Sequence, residues 1–198
     1  MTKRVVVALL VPVTWSPPGT ELSRWRAALA EDVVDLLARL AQAEPAIAAT
    51  ADDLDLAREI AWPGMPIYEV RTATVLPVLE AAERAGFDQA AVLAADAADV
   101  PGMVLGKLLR PLSSKPVAVA PTGQVNGLLA VAARLPVPTW LADTDLDTAT
   151  PMTVRRTAPR PSLVESTADW RRLRGPHDLA TLDPALEGWD NTRAILGG

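Results

Sequence analysis

Short runs of apolar residues alternate with segments of helical periodicity along most of the chain. Residues 5–13 form the first run, which is nearly continuous and rich in β-branched side chains. Such a run is typical of a strand that is covered on both faces of a parallel sheet. A turn rich in proline and glycine follows at residues 16–20, and apolar residues then recur at helical spacing. This spacing predicts a helix from residue 21, with Thr20 placed to cap its first free amides.

The same alternation continues to residue 133. The pattern predicts further strands at residues 46–50, 65–70, 90–96, 116–121 and 127–133. Helices are predicted between most of these strands, which favours a mainly parallel, doubly wound sheet flanked by helices. We therefore expect the α/β class and a single domain at residues 1–198, with a core at 4–136 and a C-terminal extension at 137–198. In the extension, residues 151–157 look like a late strand, and residues 178–186 and 189–196 have helical spacing.

The composition is that of a soluble domain. The chain has 198 residues, of which 49% are hydrophobic, so it is long enough to bury one core. Cysteine is absent, which excludes disulfides, zinc-thiolate sites and a cysteine nucleophile and fits a reducing compartment. No apolar stretch approaches the roughly 20 residues that cross a bilayer. We therefore expect a cytoplasmic protein that does not enter membranes.

The charge distribution argues against one class of partner. The formal net charge is −5, whereas binding to nucleic acid needs a basic face. The C-terminal region is locally rich in arginine, and this cluster either faces an anion or forms a solvated surface. Its members are Arg155, Arg156, Arg160, Arg171, Arg172 and Arg174.

Asp96 is the strongest candidate for chemistry. It ends a predicted strand, and in an open α/β sheet the ligand crevice lies beyond the carboxyl ends of the strands. A carboxylate at that place is a suitable ligand for Mg²⁺ or Mn²⁺. Asp99, three residues later, either contributes to such a site or caps the following helix. For the single histidine, His177, a structural role near a helix start is expected.

The order of these features resembles a known family. The chain has Asp96-x-x-Asp99-x-Pro101 before a helix, then a strand ending in Ala-Pro, a short turn and a strand starting Gly-Leu-Leu. This order resembles the GT-A nucleotidyltransferases and glycosyltransferase-like proteins. The layout is most similar to the DUF2064 proteins and the phospholactate guanylyltransferases, over about residues 5–133.

The resemblance implies a site at the carboxyl ends of the strands. It implies that Asp96 is the catalytic residue and, with Asp99, a ligand of Mg²⁺ or Mn²⁺. A nucleotide or nucleotide-sugar would then contact the first loop and the turn after the fifth predicted strand. The residues expected to bind it are Ser16, Gly19, Thr20, Arg24, Asn126 and Gly127.

The chain also departs from the family pattern. The first loop normally has basic residues that wrap the triphosphate, but here Arg24 and Arg26 come only a turn after Gly19. Of the usual paired glycines, only Asn126-Gly127 is present. An aspartate that normally completes the metal site near the C-terminus is replaced by Arg174, unless a carboxylate in residues 143–147 substitutes for it. These departures favour reduced or lost catalysis.

Two functional hypotheses follow from this comparison. The first is a nucleotidyltransferase-like protein that binds a nucleotide or nucleotide-sugar at the strand ends, with reduced or lost transfer. The second is a non-catalytic module that keeps the same fold and binds a protein partner or a second copy of itself.

Overall fold

One sheet organises the molecule. The computed structural model describes residues 2–124 and 126–197. Within these residues the strands are β1 (Arg4–Leu9), β2 (Glu44–Ala49), β3 (Ile67–Glu69), β4 (Gln89–Ala94), β5 (Val117–Pro121), β6 (Leu128–Arg134) and β7 (Val164–Ser166). They form a single sheet in the order β3-β2-β1-β4-β6-β5-β7.

The helices lie between these strands and after them. They are α1 (Leu22–Ala38), α2 (Leu54–Ile60), α3 (Val75–Arg84), α4 (Gly102–Leu109), α5 (Pro151–Thr157), α6 (Pro176–Leu179) and α7 (Asp190–Ile195). No helix in the described ranges is both long and apolar enough to span a bilayer.

Strand direction determines where a site forms. β1 is parallel to β2 and β4, and β5 is parallel to β7. β6 runs antiparallel to both β4 and β5, so β1, β4 and β5 all point the same way. The loops after these three strands therefore lie along one edge of the sheet. We call this edge, with the loops after β1, β4 and β5, the strand-end edge.

The predicted fold class is confirmed, because the sheet is mostly parallel and helices cover both of its faces. One apolar cluster lies between the sheet and α1, α2 and α4, and a second packs α3 and α5 against the other face. Along β1, successive side chains point to opposite faces of the sheet, because Val6 belongs to the first cluster and Val7 to the second. The predicted strand residues Val7, Leu9, Val92, Leu93, Val117 and Val119 are all fully buried in this one sheet.

Three details of the strand prediction are wrong. The strands predicted at residues 90–96 and 116–121 are expected to be adjacent, but β6 lies between β4 and β5. Residues 151–157, predicted as a late strand, form helix α5. Its start has a capping box in which Thr150 accepts from the amide of Thr153 and Thr153 accepts from the amide of Thr150, with Pro151 in the first turn. The seventh strand, β7, was missed because three residues are too few to show a period.

The start of α3 is capped by a distant side chain, whereas the start of α1 has no side-chain cap. α1 begins after Glu21 rather than Thr20, and no side chain caps it. Thr74 stands at the N-cap of α3 but makes no capping bond. Instead, Asp143 accepts from the Leu76 amide at 3.1 Å and from the Thr74 hydroxyl at 2.8 Å. The loop that contains Asp143 is thereby fixed against α3.

The C-terminal end is attached to α1 through one buried carboxylate. Asp32 Oδ1 accepts from the Asn191 amide at 2.9 Å and from Asn191 Nδ2 at 3.0 Å, and its Oδ2 accepts from the Thr192 amide at 2.8 Å. Burial raises the pKa of Asp32, while these donors oppose the rise. The side chain therefore caps the start of α7, where free amides need an acceptor.

Replacing this cap should loosen the C-terminal helix. We expect Asp32→Ala to lower the free energy of unfolding by about 1–3 kcal/mol, because buried amide donors lose their acceptor. Glu31→Ala, at the neighbouring exposed position of α1, is the matched control and should change little. Denaturant titration followed by tryptophan fluorescence measures both, since Trp189 adjoins α7. Equal stability of the two variants would show that Asp32 does not hold α7.

Candidate functional site

An extended stretch of chain crosses the strand-end edge. We call residues 167–175 the crossing segment. Its Thr167 amide donates to Val119 O at 2.8 Å, its Trp170 amide to Pro121 O at 3.2 Å, and its Leu173 amide to Asp96 O at 2.8 Å. The segment therefore leaves β7, passes the end of β5 and reaches the end of β4. It places three arginines, at positions 171, 172 and 174, next to the loop that follows β4.

Arg172 lies directly on Asp96. Its Nε donates to Asp96 Oδ1 at 2.6 Å, and its Nη2 donates to Asp96 Oδ2 at 2.9 Å. The side chains are 2% and 1% exposed, so this two-pronged pair is almost fully removed from water. Charge-assisted pairs of this geometry are the strong ones. Both carboxylate oxygens of Asp96 are thus engaged by one guanidinium.

A second carboxylate completes the arrangement from the other side. Asp147 Oδ1 lies 2.7 Å from Arg172 Nη2, and Asp147 Oδ2 accepts from Arg174 Nη2 at 2.9 Å. Arg172 Nη1 donates to the carbonyl of Leu146 at 3.1 Å. The guanidinium of Arg172 therefore bridges Asp96 and Asp147. Asp147 belongs to the acidic stretch 143–147, which the sequence had suggested as a source of a substitute carboxylate.

The charge state of Arg172 follows from these neighbours. Burial by itself lowers the pKa of Arg172, but the carboxylates of Asp96 and Asp147 outweigh it and raise the pKa above its usual value. The guanidinium stays positive throughout the range in which the protein is folded. The strand-end edge therefore contains a permanent internal cation.

Asp99 has its own arginine. The carboxylate is buried and accepts from Trp170 Nε1 at 3.2 Å and from Arg171 Nη2. The Arg171 guanidinium also stacks on the Trp170 ring, 4.8 Å from its centre. Asp99 does not cap α4, because the N-cap position is Pro101. Its side chain instead fixes the crossing segment.

These contacts do not fit the expected metal. A divalent cation needs free oxygen ligands, yet the oxygens of Asp96 and Asp99 both face arginines. Residues 2–124 and 126–197 contain no group of three or more His, Asp or Glu side chains placed to hold a metal ion. Arg174, which the family pattern would align with the second ligand, lies 3.7 Å from Asp96 through its Nε. Arg172 is the closer residue.

The first loop is folded on itself. Ser16 Oγ donates to the carbonyl of Thr20 at 2.9 Å, and the Thr20 amide donates to Pro17 O at 3.0 Å. Gly19 takes a φ of 81°, which glycine adopts without strain. Arg24 is exposed and makes no ion pair within the described chain. The other nearby cation, Arg26, is already paired with both oxygens of Asp53.

Asn126 and Gly127 form the turn between β5 and β6. The carbonyl of Asn126 accepts from Thr122 Oγ1 at 3.1 Å, and the Gly127 amide donates to Ala149 O at 3.0 Å. Gly127 has a φ of 103°, and a Cβ there would come within 3.3 Å of Thr122. Glycine is therefore required by the close packing of this turn. Its amide is not free for a phosphate.

A third apolar cluster joins the first loop to the C-terminal end. Trp25, Leu29, Ala98, Leu173 and Trp189 form its buried part, with Val13 and Trp15 packed against them. Because Ala98 belongs to the loop after β4, the first loop and the loop after β4 meet in this cluster. The structure thus brings the two loops together, but through apolar contacts rather than around an open crevice.

One cavity remains beside the crossing segment. It has a volume of about 400 Å³ and lies between the turn after β5 and the start of α6. Its polar side chains come from Thr122, Gln124, Asp169, Arg171, His177, Asp178 and Thr181, with Trp170 as the aromatic wall. Gln124 Nε2 donates to Asp178 Oδ1 at 2.8 Å, which joins the turn after β5 to α6. His177 lies in this cavity and is exposed.

The sequence indicates Arg172 only as one member of the arginine cluster and Asp147 only as part of residues 143–147, and it gives no indication of Trp170. The available signal was the run Arg171-Arg172-Leu173-Arg174 at the place where the family has an acidic element. Extended chain alternates its side chains between two sides, so Arg172 and Arg174 reach the same carboxylates while Leu173 enters the third cluster. Three of the six arginines of the C-terminal cluster, Arg171, Arg172 and Arg174, therefore pair with carboxylates of the chain itself.

Comparisons with known proteins bear on the fold. No protein-family model matches the sequence, and no curated protein sequence does. Among solved structures, a protein from Desulfovibrio desulfuricans G20 that is assigned as a nucleotide-diphospho-sugar transferase has 17% identity and a TM-score of 0.62. The match covers 100% of this chain and 96% of that one.

Two other solved structures are similar at the same level. The 4-diphosphocytidyl-2C-methyl-D-erythritol synthase from Anaerococcus prevotii has 10% identity and a TM-score of 0.63, over 98% of this chain and 96% of that one. A cytidylyltransferase from Leptospira borgpetersenii has 9% identity and a TM-score of 0.58, over 99% and 93%. Identities this low show the fold alone. The chain has the fold of the nucleotide-diphospho-sugar transferases and cytidylyltransferases.

Proposed function

We propose that this protein binds a nucleotide or nucleotide-sugar at the strand-end edge without metal-dependent transfer. One observation carries the proposal: the guanidinium of Arg172 bridges Asp96 and Asp147. The closer likeness to the DUF2064 proteins and phospholactate guanylyltransferases, inferred from the order of motifs, stays a prediction.

The absence of transfer follows from charge. In metal-assisted transfer a divalent cation holds the phosphates and neutralises charge that develops on them. Here the two carboxylates that would hold such a cation are already neutralised by an internal one. A metal ion has exchangeable waters that a phosphate oxygen can replace. The buried guanidinium of Arg172 has each of its nitrogens already engaged, so it has no free position for a phosphate oxygen. Asp96 is therefore proposed as a structural anchor rather than a catalytic residue.

The proposed ligand contacts form two groups, a cavity found in the structure and the first-loop residues expected from the sequence. The cavity beside Trp170 is within the size range of small-ligand sites and offers an aromatic wall with several polar groups. It suits the base or sugar of a ligand. The exposed first loop, with Gly19 and Thr20, and Arg24 on the first turn of α1, are the proposed contacts for phosphate. Arg24 is the important member, because Arg26 is committed to Asp53.

The interaction module is the second candidate function. Its support is the coverage of the strand-end edge, because the crossing segment leaves Asp96 and Asp99 1% and 3% exposed. A protein that only kept the fold would gain from such coverage, since it seals charges that no ligand neutralises. The two candidates differ in whether any nucleotide binds.

Nucleotide binding should be weak and independent of metal. We expect a nucleoside diphosphate or its sugar conjugate to bind no tighter than about 0.1 mM, roughly −5.5 kcal/mol. Titration calorimetry with GDP, CDP and UDP-glucose, each with Mg²⁺ and with EDTA, measures this. Arg24→Glu should weaken the binding, whereas Arg84→Glu, an exposed control on α3, should not. Micromolar binding that needs Mg²⁺ and disappears in Asp96→Ala would overturn the proposal, and no binding of any nucleotide would favour the interaction module.

The ion pair itself can be tested by stability. We expect Arg172→Met to cost about 3–5 kcal/mol, because it leaves Asp96 buried without its partner. The double variant Arg172→Met with Asp96→Leu should be more stable than Arg172→Met alone. Arg174→Met is the control, since that arginine is one-third exposed and its pair should be worth less than about 1 kcal/mol. Chemical denaturation gives all four values, and equal losses for Arg172→Met and Arg174→Met would refute the central role of Arg172.

A further inference from the structure

A basic groove lies at the opposite edge of the sheet from Asp96. It has a volume of about 760 Å³ and runs between the loop after α1 and the outer side of α4. One end is formed by Arg4, the first residue of β1, and by Ser113, which precedes β5. The groove shares no lining residue with the cavity beside Trp170, and its four cations lie at or near the amino-terminal end of β1 and the ends of α1 and α4, so it is separate from the proposed nucleotide site.

The charge of the groove is opposite to that of the whole protein. The residues that line it include four cations, Arg4, Arg39, Lys107 and Arg110, and no aspartate or glutamate. The formal net charge of the chain is −5, so such segregation does not follow from composition. Among the described residues, none of these four cations takes part in an ion pair.

Helix ends account for only part of this charge. Arg39 is the C-cap of α1, and Lys107 lies in the last turn of α4. Cations are common at helix C-termini because each end has about half a negative charge. Two such ends offset about one of the four positive charges in the groove. A net positive charge therefore remains for a ligand.

The floor of the groove is apolar and open. Met103 is 66% exposed on the outer side of α4, and Leu40 and Ala43 line the opposite wall. A Cβ added at Gly106 would meet no atom within 4 Å, so the surface of α4 is flat there. Another backbone could approach this helix closely. Cations above an apolar floor complement a ligand that has both apolar and acidic groups.

We propose that this groove binds an acidic amphipathic helix of a partner protein. The apolar side of that helix packs on Met103, Gly106 and Leu40, and its acidic residues pair with Arg39, Lys107 and Arg110. A compact anion such as phosphate fits less well, because the C-terminal ends of α1 and α4 present carbonyl oxygens there. Recognition of a helix lying in a groove by an apolar stripe with flanking charges is a recurrent mode.

A designed peptide tests the proposal directly. The probe is a fluorescein-labelled helical peptide of roughly 16 residues, with leucines at i, i+3, i+4 and i+7 and glutamates beside them. We expect micromolar binding by fluorescence anisotropy that weakens with salt. A peptide with lysine in place of every glutamate should not bind. Failure of the acidic peptide to bind at about 0.1 mM, about −5.5 kcal/mol, would overturn the proposal.

Charge reversal with a matched control locates the site. Lys107→Glu with Arg110→Glu should weaken peptide binding by at least about tenfold, because the new glutamates repel the glutamates of the peptide. Arg58→Glu with Arg84→Glu is the control, since these arginines also lie in last turns, of α2 and α3, and change the net charge equally. Equal affinity of the two double variants would contradict binding in the groove.

A steric variant separates binding from folding. Gly106→Phe places a large side chain in the groove, where a Cβ would meet no atom of the protein within 4 Å. Because glycine is less favourable than phenylalanine within a helix, the substitution should not weaken the fold. We expect an unchanged or higher melting temperature together with loss of peptide binding. Retained peptide binding by this variant would contradict the proposal.

Two other occupants would show themselves in the same experiments. Inorganic tripolyphosphate is added as a competitor of the labelled peptide. If its inhibition constant is lower than the Kd of the peptide, the proposal is overturned in favour of a small polyanion. A dimer in sedimentation velocity that Lys107→Glu with Arg110→Glu abolishes would make the occupant a second copy of this chain. We expect neither, and a negative result for nucleotides at the strand-end edge would leave this proposal unaffected.

Discussion

The buried guanidinium of Arg172 is the contact on which the strand-end edge depends. It joins Asp96 at the end of β4 to Asp147 in the loop before α5, and the crossing segment carries it there. Removing these charges from water costs several kcal/mol per ion, which only a closed set of partners offsets. Three carboxylates, at 96, 99 and 147, face three arginines, at 171, 172 and 174. The balance of charge therefore holds the C-terminal chain on the sheet.

The ion pairs of the strand-end edge are the basis for proposing that this fold does not carry out metal-dependent transfer here. The fold is similar to those of a 4-diphosphocytidyl-2C-methyl-D-erythritol synthase and a cytidylyltransferase, yet the carboxylates at the strand-end edge pair with arginines of the chain itself. Arginine delivers charge in a fixed fork with no exchangeable position. Under the proposed function, Arg172 supplies the positive charge beside Asp96, and a bound nucleotide depends on Arg24 and on the cavity beside Trp170.

Much of the fold was predictable, because buried strands and amphipathic helices leave strong periodic signals. The loop after β4, with Asp96, was placed correctly at the carboxyl edge, since parallel strands share one direction. The partners of Asp96 were not predictable. Arg172 lies 76 residues away, and its position depends on β7 and an extended segment without any period. The same applies to the capping of α3 by Asp143, because a cap from a distant loop leaves no local pattern.

Manganese binding to Arg172→Ala tests the central claim most directly. If the guanidinium occupies the place of a metal ion, its removal exposes both oxygens of Asp96 and Oδ1 of Asp147 to a hard cation, while Asp147 Oδ2 stays paired with Arg174. Thermal unfolding with and without about 1 mM Mn²⁺ should then show stabilisation of Arg172→Ala, because binding to the native state alone raises its stability. The wild type and Arg172→Ala with Asp96→Asn should show none. Stabilisation of the wild type by Mn²⁺ that is lost in Asp96→Asn would contradict the account.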